Sequence, residues 1–495
     1  MNPHQPDAPT QLAEDTDWAG DELREECGVF GIFGHEDATT LVALGLQALQ
    51  HRGQEAAGIV SSDGKQFYAE RRMGLVSDSF TKPSVMKRLA GNSAIGHVRY
   101  STTGETVLRN VQPLFADLAG GGFALAHNGN LTNAAQLREE LELDGSIFQT
   151  TVDSEIILHL MARPSDNGEN NLVQSLQRIE GAYSLVIMTE NELIGVRDPH
   201  GFRPLSIAKL DGAYVLSSET CAFDLIQAEF VRDVEPGEIV IINKDGIKSI
   251  NAFPMQERRA FCIFEYVYFA RPDSRISDRS VYQVRVNMGR ELAKETAVDA
   301  DLVVPVPDSG NCASLGYSLE SGIPYEMAFV RNHYVGRSFL QPSQLIRDFN
   351  VRVKLNLINE LVEGKRVVII DDSIVRGTTS KARVNNLKEA GAKEVHVRVS
   401  CPPHMNPCFY GIDMSTKDEL FAARFEGGLA ELEPEASEAL GADSLTYLEV
   451  DKLNEVFGGK SRCGACFDGN YPEDVPESAR QAIVADRSTI ERGIN

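Results

Sequence analysis

Two adjacent aspartates, Asp371 and Asp372, directly follow the apolar run 367–370. After them comes a loop that ends in the sequence RGTTS at 376–380, which is rich in small and hydroxyl residues. An apolar β-branched run is typical of a central parallel strand that is buried on both faces. At the carboxyl end of such a strand, backbone N–H groups and a helix N-terminus can bind phosphate. The paired carboxylates would need hydroxyl donors or a hard cation beside that phosphate. The segment therefore predicts a site for a phosphorylated sugar and a divalent metal, with a hydrolase-like metal strand or a simple helix cap as alternatives.

A cysteine near the start of the chain, Cys27, follows an acidic leader and precedes the first apolar strand pattern. A single cysteine in that position is usually a small core residue. If the chain is cleaved after Glu26, Cys27 becomes the N-terminal residue, and its α-amine, with a pKa of about 7.7 to 8.0, can act as the base for its thiol. Cleavage of residues 1–26 is an inference at this point.

Eight cysteines in 495 residues are too few for a disulfide scaffold, and four of them stand in contexts that suit a metal. Cys463 and Cys466 form a CxxC pair, Cys262 lies in CIFEYVYFARPDS and Cys408 lies in PCFYGID. Four thiolates suit structural zinc or an iron–sulfur cluster, and spacing alone does not choose between them. The remaining three are predicted to be buried free thiols: Cys221, Cys312 and Cys401.

The elements that must position these residues change character along the chain. In the first half, short strands are interrupted by helical spacing at 38–50 and 154–161, which predicts a mainly antiparallel α+β sandwich. In the second half, apolar strands alternate with helices, which predicts a parallel, doubly wound sheet. One of these predicted strands is IPYEMAFV at 323–330. We place the domain boundary near residue 256 and expect the tail after Cys466 to be helical.

Composition limits the class of protein. A net charge of −24 argues against nucleic acid or an anionic membrane as the main partner, so an anionic ligand needs a locally basic pocket. No segment approaches the roughly 18 to 20 apolar residues of a membrane helix. Residues 1–26 carry eight acidic side chains, only Arg24 as a base and no apolar core, so they do not form a secretory signal. We therefore expect a cytoplasmic protein.

Five motifs in the first half resemble, in order, those of the class II glutamine amidotransferases, which are N-terminal-nucleophile hydrolases. They are ECGVFGI, HRGQEAAGI, GHVRYST, AHNGN and TVDSE. The string VVIIDDSIVRGTTS at 367–380 resembles the binding motif of the type I phosphoribosyltransferases, which use phosphoribosyl pyrophosphate (PRPP). The resemblance implies a propeptide at 1–26, a four-layer αββα sandwich of the N-terminal-nucleophile hydrolase class at 27–256, and an α/β phosphoribosyltransferase domain with a parallel sheet at 257–495.

For glutamine, the resemblance implies a site of five residues. Cys27 would be the nucleophile that attacks the side-chain amide, and Asn128 with Gly129 would hold the oxyanion. Arg99 would bind the α-carboxylate and Asp153 the α-ammonium. The local alternatives are a hairpin turn for the Asn-Gly pair, although a helical pattern follows it, and structural ion pairs for the arginine and the aspartate.

For PRPP, the resemblance implies that Asp371 and Asp372 contact the ribose hydroxyls and Mg²⁺. Ser309, at the end of the run VVPVPDS, would contact the metal or pyrophosphate, and a helix cap is its alternative. Arg331 and Arg337, in the loop RNHYVGRSF, would belong to a lid that closes on pyrophosphate, and a solvated loop is their alternative. The 5′-phosphate would be held by Arg376, Gly377, Thr378, Thr379 and Ser380.

Both halves together resemble the amidophosphoribosyltransferases, the glutamine-dependent enzymes that begin purine synthesis. The resemblance implies that ammonia released from glutamine passes internally to PRPP, giving glutamate, pyrophosphate and 5-phosphoribosylamine. One branch of the family carries both a propeptide and one [4Fe–4S] cluster, on cysteines that match Cys262, Cys408, Cys463 and Cys466. Feedback inhibition by purine nucleotides and a homo-oligomer, a tetramer by family, are further expectations.

Two other functions compete with this interpretation. The chain could be a salvage phosphoribosyltransferase with a regulatory first half, but the complete set of glutaminase motifs disfavours that function. It could also be a non-catalytic regulator that senses PRPP, but its acidity and the lack of a DNA-binding motif disfavour that one.

Overall fold

The computed structural model describes residues 27–100, 107–164, 171–254, 256, 258–332, 355–412, 416–459, 461–477, 479 and 480. The predicted propeptide at 1–26 and the predicted lid residue Arg337 lie outside the described residues. None of the described helices is both long and apolar enough to cross a membrane.

Short strands with buried apolar side chains build two antiparallel sheets in the first half of the chain. These strands are β1 (Gly28–Phe33), β2 (Ala56–Ser62), β3 (Phe67–Met73), β4 (Ser93–Arg99), β5 (Leu114–Leu118), β6 (Gly121–Leu131), β7 (Gly181–Met188), β8 (Leu193–Arg197), β9 (Ser206–Leu210), β10 (Ala213–Ser217), β11 (Glu229–Asp233), β12 (Glu238–Asn243) and β13 (Gly246–Asn251). Among the described residues, one sheet has the order β11-β9-β10-β1-β4-β2-β3 and the other the order β13-β12-β8-β7-β6-β5. The strand that follows Cys27 is thus central in its sheet.

The two sheets pack against each other, and helices cover their outer faces. The helices of this half are α1 (Ala38–Ala48), α2 (Val76–Ser79), α3 (Pro83–Met86), α4 (Ala134–Leu143), α5 (Glu155–Met161), α6 (Asn171–Leu176) and α7 (Cys221–Ile226). One apolar core joins side chains of both sheets, such as Val29, Ile95 and Val186. A second core joins α1 and α7 to the first sheet, and a third joins α4, α5 and α6 to the second sheet. This arrangement confirms the predicted αββα sandwich and the helices predicted at 38–50 and 154–161.

A parallel sheet organises the second half. Its strands and the short strands around it are β14 (Phe261–Cys262), β15 (Arg275–Ile276), β16 (Arg279–Ser280), β17 (Leu302–Pro305), β18 (Phe329–Arg331), β19 (Leu355–Leu357), β20 (Arg366–Asp371), β21 (Glu394–Val399), β22 (Ser444–Tyr447) and β23 (Arg462–Cys463). Within the described ranges, the parallel sheet has the order β17-β20-β21-β22. The predicted central strand is β20, whose apolar residues are almost completely buried.

Helices on this sheet complete the predicted α/β domain. They are α8 (Val281–Glu295), α9 (Asn311–Ser321), α10 (Asn359–Val362), α11 (Thr378–Glu389), α12 (Leu429–Leu440), α13 (Val450–Val456) and α14 (Ala465–Asp468). Apolar side chains of the helices and of all four parallel strands form one buried core. Helix α11 follows the loop after β20, so the sequence that predicts a phosphate site does form a strand, a loop and a helix.

Two details of the second half differ from the sequence predictions. The strand predicted at 323–330 is reduced to a single bridge between Tyr325 and Val303, followed by β18. Glu326 and Met327 are exposed, so this stretch follows the surface and cannot be an interior strand. The predicted helical tail is interrupted, because Gly469 ends α14 in the left-handed conformation and residues 470–476 are not helical; residues 477, 479 and 480 are helical again.

Candidate active sites

Cys27 immediately precedes β1 in the first sheet. Its thiol donates a hydrogen bond to the carbonyl oxygen of Tyr100, at an Sγ–O distance of 3.4 Å. Arg52 donates from Nε to the carbonyl oxygen of Cys27 at 3.1 Å. The cysteine side chain is half-buried. Its backbone is therefore held in place while its sulfur remains accessible to a ligand.

A cavity lies beside Cys27. It is lined by Cys27, His97, Arg99, Tyr100, Gln112, His127, Gly129, Val152 and Asp153. Four of the five residues predicted to bind and cleave glutamine thus share one cavity. A nucleophile, a guanidinium and a carboxylate in one small cavity can hold an amino acid by both of its charged groups.

Asn128 and Gly129, the predicted oxyanion pair, lie inside β6 and pair with Ser184 and Tyr183. The hairpin-turn alternative for this Asn-Gly pair is therefore wrong. Both amide atoms of the Asn128 side chain are buried without a hydrogen-bond partner among the described residues. Gly129 has φ 145°, and any Cβ there would collide with the carbonyl group of Ala182. An unsatisfied buried amide next to an unshielded backbone is suited to receive a charged ligand oxygen.

Asp153, the predicted partner of the glutamine ammonium, is an anion in this cavity. Its carboxylate accepts hydrogen bonds from the backbone N–H of Leu131 at 2.9 Å and from the hydroxyl of Ser154 at 3.0 Å. Burial raises its pKa, but the charge and hydrogen bond of His127, together with these donors, lower the pKa below its ordinary value of 3.8. Arg99 is also buried and donates to the carbonyl oxygen of Asn110.

Two histidines that line the cavity, His97 and His127, have no role in the sequence-based prediction. The sequence does contain a hint of them: His97 lies in the motif GHVRYST near Arg99, and His127 lies in the motif AHNGN beside Asn128. In these motifs the resemblance assigns roles to the arginine and the asparagine but not to the histidines. Burial, followed by the charge of Arg99, lowers the pKa of His97 to about 3, so its imidazole is neutral at ordinary pH. His127 contacts the hydroxyl of Ser154 through Nδ1 at 2.9 Å. These imidazoles shape the polar wall behind the oxyanion pair.

In the second half, the predicted phosphate loop connects β20 to α11. Gly377 has φ 84°, and a Cβ at this position would lie 2.5 Å from the ring of Phe421, so the turn requires glycine. Helix α11 begins at Thr378, and the N–H groups of its first turn have no acceptor within the helix. Arg376 forms an ion pair with Glu419 at 3.3 Å. The loop therefore offers backbone donors and a helix N-terminus to an anion.

The two aspartates after β20 are buried and differ in their partners. Asp371 pairs with Arg383 at 2.6 Å, and Asp372 accepts hydrogen bonds from the hydroxyls of Ser309 and Ser373. Burial raises the pKa of Asp371, Arg383 opposes this shift, and the charge of Asp372 adds to it. Such an acid pair is stabilised by hydroxyl donors or a hard cation, which fits ribose and Mg²⁺. Sequence reasoning missed Arg383.

Residues beyond the neighbouring strand β17 reach the same end of the sheet. Because β17 and β20 are adjacent and parallel, Ser309 is brought to Asp372. The helix-cap alternative for Ser309 is wrong, since Gly310 occupies the N-cap of α9. Arg331 pairs with Asp308 at 2.8 Å, with both side chains more than half exposed, so it lies near this strand end.

The four cysteines predicted to bind a cluster converge from three distant stretches of the chain. Strands β14 and β23 pair in parallel with Cys262 opposite Cys463. Burial, together with the thiols of Cys408, Cys463 and Cys262, raises the pKa of Cys466. Cys401, predicted to be a separate buried thiol, is also near this group. Across the residues that the structure describes, no three His, Cys, Asp or Glu side chains are close enough to share a single metal ion.

Comparison with known proteins connects both sites to one family. A family profile described as a glutamine amidotransferase domain matches residues 97–224. The amidophosphoribosyltransferase of Rhizobium etli is 53% identical over 467 residues, covering 92% of this chain and 93% of the relative. That of Bacillus subtilis is 50% identical over 461 residues, covering 92% and 95%. The glutamine PRPP amidotransferase structure from B. subtilis, complexed with ADP and GMP, has a TM-score of 0.84 at 48% identity, covering 91% of this chain and 98% of that one.

The fold and the two sites define a glutamine amidotransferase domain joined to a phosphoribosyltransferase domain with a parallel sheet. The relatives narrow this class: the chain belongs to the amidophosphoribosyltransferase family. It is therefore an enzyme whose substrates are glutamine and PRPP. Family membership argues against both the salvage enzyme and the non-catalytic sensor.

Proposed function

We propose that this enzyme releases ammonia from glutamine at Cys27 and transfers it to PRPP at the loop after β20, as the first step of purine synthesis. The observation that carries this proposal is the single cavity that contains Cys27, Arg99 and Asp153 beside the unsatisfied amide of Asn128. The Cys27 thiolate attacks the amide carbon of glutamine, and the oxyanion forms at Asn128 and Gly129. Ammonia leaves, and water hydrolyses the thioester to glutamate.

The base for the thiol is the α-amine of Cys27, which requires removal of residues 1–26. An amine with a pKa of about 7.7 to 8.0 can accept the thiol proton and return a proton to the leaving nitrogen. Arg99 and Asp153 hold the α-carboxylate and α-ammonium of glutamine, which orients its side-chain amide toward the sulfur. The domain limits 27–256 and 257–495 are part of this proposal.

At the second site, ammonia attacks C1 of PRPP and pyrophosphate leaves. Residues 376–380 hold the 5′-phosphate, and Asp371 and Asp372 hold the ribose hydroxyls. The buried acid pair and Ser309 fit a bound Mg²⁺, which would neutralise charge on pyrophosphate. Arg331 and Arg337 cover pyrophosphate as part of a lid. Because ammonia in bulk water would be protonated and unreactive, internal transfer and a closed lid favour the reaction.

We also propose that Cys262, Cys408, Cys463 and Cys466 hold one [4Fe–4S] cluster, as in the family branch with a propeptide. Their convergence supports this assignment: β14 and β23 place Cys262 opposite Cys463, and Cys408 and Cys466 lie near them. The cluster would supply a structural cross-link between the CxxC segment and the synthase domain. A homo-oligomer, a tetramer by family, and inhibition by purine nucleotides complete the proposal.

The central test is pyrophosphate release from PRPP by wild type and by Cys27→Ala, driven by glutamine or by ammonium salts. We expect the variant to lose the glutamine-driven reaction and to keep the ammonium-driven one. An unchanged glutamine rate would rule out Cys27 as the nucleophile. Sequencing the mature N-terminus should give Cys27 first, and fully active enzyme that retains Met1 would contradict the α-amine mechanism.

The cluster has a separate test. Protein purified without oxygen should be brown and contain about four irons per chain if the site is a [4Fe–4S] cluster. Stoichiometric zinc without iron would overturn the assignment and favour a structural zinc site.

A further inference from the structure

A completely buried group of charged side chains joins the two halves directly behind Cys27. Arg52 lies in the 3₁₀ turn Gln50–Arg52, and its guanidinium forms ion pairs with Glu219 and Glu265. All three side chains are 0% exposed. Buried charges persist where they are paired and hydrogen-bonded. This group belongs neither to the lining of the glutamine cavity nor to the PRPP loop.

The guanidinium of Arg52 is oriented by Glu265 and in turn contacts the nucleophile. Glu265 accepts from both terminal nitrogens of Arg52, at 2.7 and 2.8 Å, which is the bidentate geometry of an arginine–carboxylate pair. The remaining Nε donates to the carbonyl oxygen of Cys27 at 3.1 Å. Because the guanidinium is planar and rigid, the carboxylate that fixes two of its nitrogens also fixes the third.

Glu265 belongs to an unusual element on the synthase side of the contact. Residues Glu265–Phe269 form a π-helical turn, closed by a hydrogen bond from the N–H of Ala270 to the carbonyl oxygen of Glu265 at 3.0 Å. Such turns are rare and are frequent at functional sites. This turn lies within the segment CIFEYVYFARPDS, to which the proposed chemistry otherwise assigns only Cys262.

Arg285 of helix α8 holds the same π turn. It is 4% exposed and donates to the carbonyl oxygens of Tyr266, Tyr268 and Ala270 at 2.7, 2.8 and 2.8 Å. Arg285 therefore fixes the turn that carries Glu265.

We propose that Glu265 is a positioning residue for glutamine cleavage: it holds Cys27 through Arg52, and Arg285 fixes the π turn from which Glu265 reaches Arg52. The inference rests on the proposed function, because it takes Cys27 as the nucleophile. Misplacement of a reacting group by about 1 Å can cost on the order of 100-fold in rate. A carboxylate that fixes the backbone of the nucleophile can therefore affect catalysis without touching glutamine.

A purely structural role makes a different prediction. Glu265 also lies 3.6 Å from Arg203, whose guanidinium donates to the carbonyl oxygen of Tyr410, so it contributes to the contact between the halves. If it acted only there, its loss would weaken both half-reactions together. If it positions Cys27, the glutamine-driven reaction falls and the ammonium-driven reaction does not.

The test uses Glu265→Gln in the full-length protein, with pyrophosphate release from PRPP driven by glutamine and by ammonium salts. We expect kcat with glutamine to fall by about 10- to 100-fold, with KM for glutamine and the ammonium-driven rate within about twofold of wild type. Glu238→Gln is the matched control, because Glu238 is another buried carboxylate held by two nitrogens of one arginine, Arg232, and does not contact Cys27. It should retain both rates.

A second measurement reports the nucleophile directly. Alkylation of Cys27 by iodoacetamide, quantified on the Cys27 peptide by mass spectrometry, should be slower in Glu265→Gln than in wild type. In the double variant with Arg52→Lys, the losses should be less than multiplicative, because both changes act on one path.

Other outcomes would overturn the positioning role. Equal loss of both rates would make Glu265 a structural residue, a raised KM alone would make it a binding residue, and wild-type rates would remove it from the mechanism. These results are separable from failure of the proposed function, which would appear as glutamine-driven activity in Cys27→Ala.

Discussion

At the scale of single residues, the buried polar groups at the glutamine cavity differ in how many of their hydrogen bonds are made within the protein. The amide of Asn128 is buried and unsatisfied among the described residues, whereas Asp153 is surrounded by donors. A carboxylate with donors remains charged in a buried site, and an amide without partners is ready for a transient oxyanion. The two side chains therefore differ in function because their hydrogen bonds differ.

The first residue-scale prediction concerns Asn128→Ala. Removing an oxyanion donor typically costs about 10²- to 10³-fold in kcat, so glutamine hydrolysis should fall by that amount with little change in KM. The ammonium-driven reaction should be retained, as measured by pyrophosphate release. Asn133→Ala is the control: this buried asparagine already has partners in Arg178 and Glu180, so its loss should affect stability and not the glutamine rate. Equal kcat values for the two variants would contradict the oxyanion role.

The second concerns His97 and acid stability. Its pKa is about 3 in the folded chain and about 6.5 when unfolded, so the unfolded state binds more protons between these values and stability falls as pH decreases below 6.5. This one group should remove about 1 kcal/mol of unfolding free energy per pH unit in that window. Urea unfolding at pH 6.5 and 5.5 should therefore show a smaller pH effect in His97→Asn. An unchanged difference would show that His97 is already protonated or exposed.

At the scale of elements, strand-to-helix loops place the chemistry of the second half. The parallel pairing of β17 with β20 brings Ser309 to Asp372, and the left-handed turn at Gly377 lets α11 begin at Thr378. The contact between Ser309 and Asp372 follows from the order of the strands. The start of α11 follows from the left-handed conformation of a residue without a Cβ.

The element-scale prediction is that Gly377→Ala weakens PRPP use. The substitution introduces strain at φ 84° and a Cβ 2.5 Å from the Phe421 ring, so the loop must shift. We expect KM for PRPP to rise by about tenfold or more, measured with ammonium salts. Gly391→Ala is the matched control, since Gly391 has φ 86° but its nearest atom would be 3.4 Å away. If both variants raise KM equally, backbone strain and not loop position explains the effect.

At the scale of the whole molecule, the two halves meet in several buried contacts near the glutamine site. Asn130 donates to the carbonyl oxygen of Phe409, and Arg203 donates to that of Tyr410. These carbonyls follow Cys408, one of the proposed cluster ligands. The segment 408–410 therefore contributes both a proposed cluster ligand and a hydrogen-bond acceptor for strand β6.

The whole-molecule prediction is that Cys463→Ser lowers iron content and thermal stability together. Cys463 pairs with Cys262 across β14 and β23, which are far apart in sequence, so its loss should loosen a long-range connection. Metal binding contributes folding free energy, and a loss of about 2 kcal/mol would lower Tm by roughly 4 to 8 °C. Cys312→Ser, which changes another buried thiol of the second half, should retain the iron. Full iron in Cys463→Ser would exclude this residue as a ligand.

The sequence by itself determined the class of each half and most candidate residues, because those signals are local. The run 367–380 reads as strand, loop and helix in any context, and the order of the five glutaminase motifs is visible without a structure. Hydrophobic periodicity and glycine placement act over a few residues, so they can be interpreted directly.

Only the tertiary structure decided which residues act on each other across the chain. Arg383 beside Asp371, His97 in the wall of the glutamine cavity, and the link from Glu265 through Arg52 to Cys27 join positions that no spacing rule relates. The stretch at 323–330 also has an apolar pattern, and only packing shows that Glu326 and Met327 lie on the surface while Ala328 and Phe329 are buried. Buried ion pairs and ligand pockets depend on which elements pack together, and that is a property of the fold as a whole.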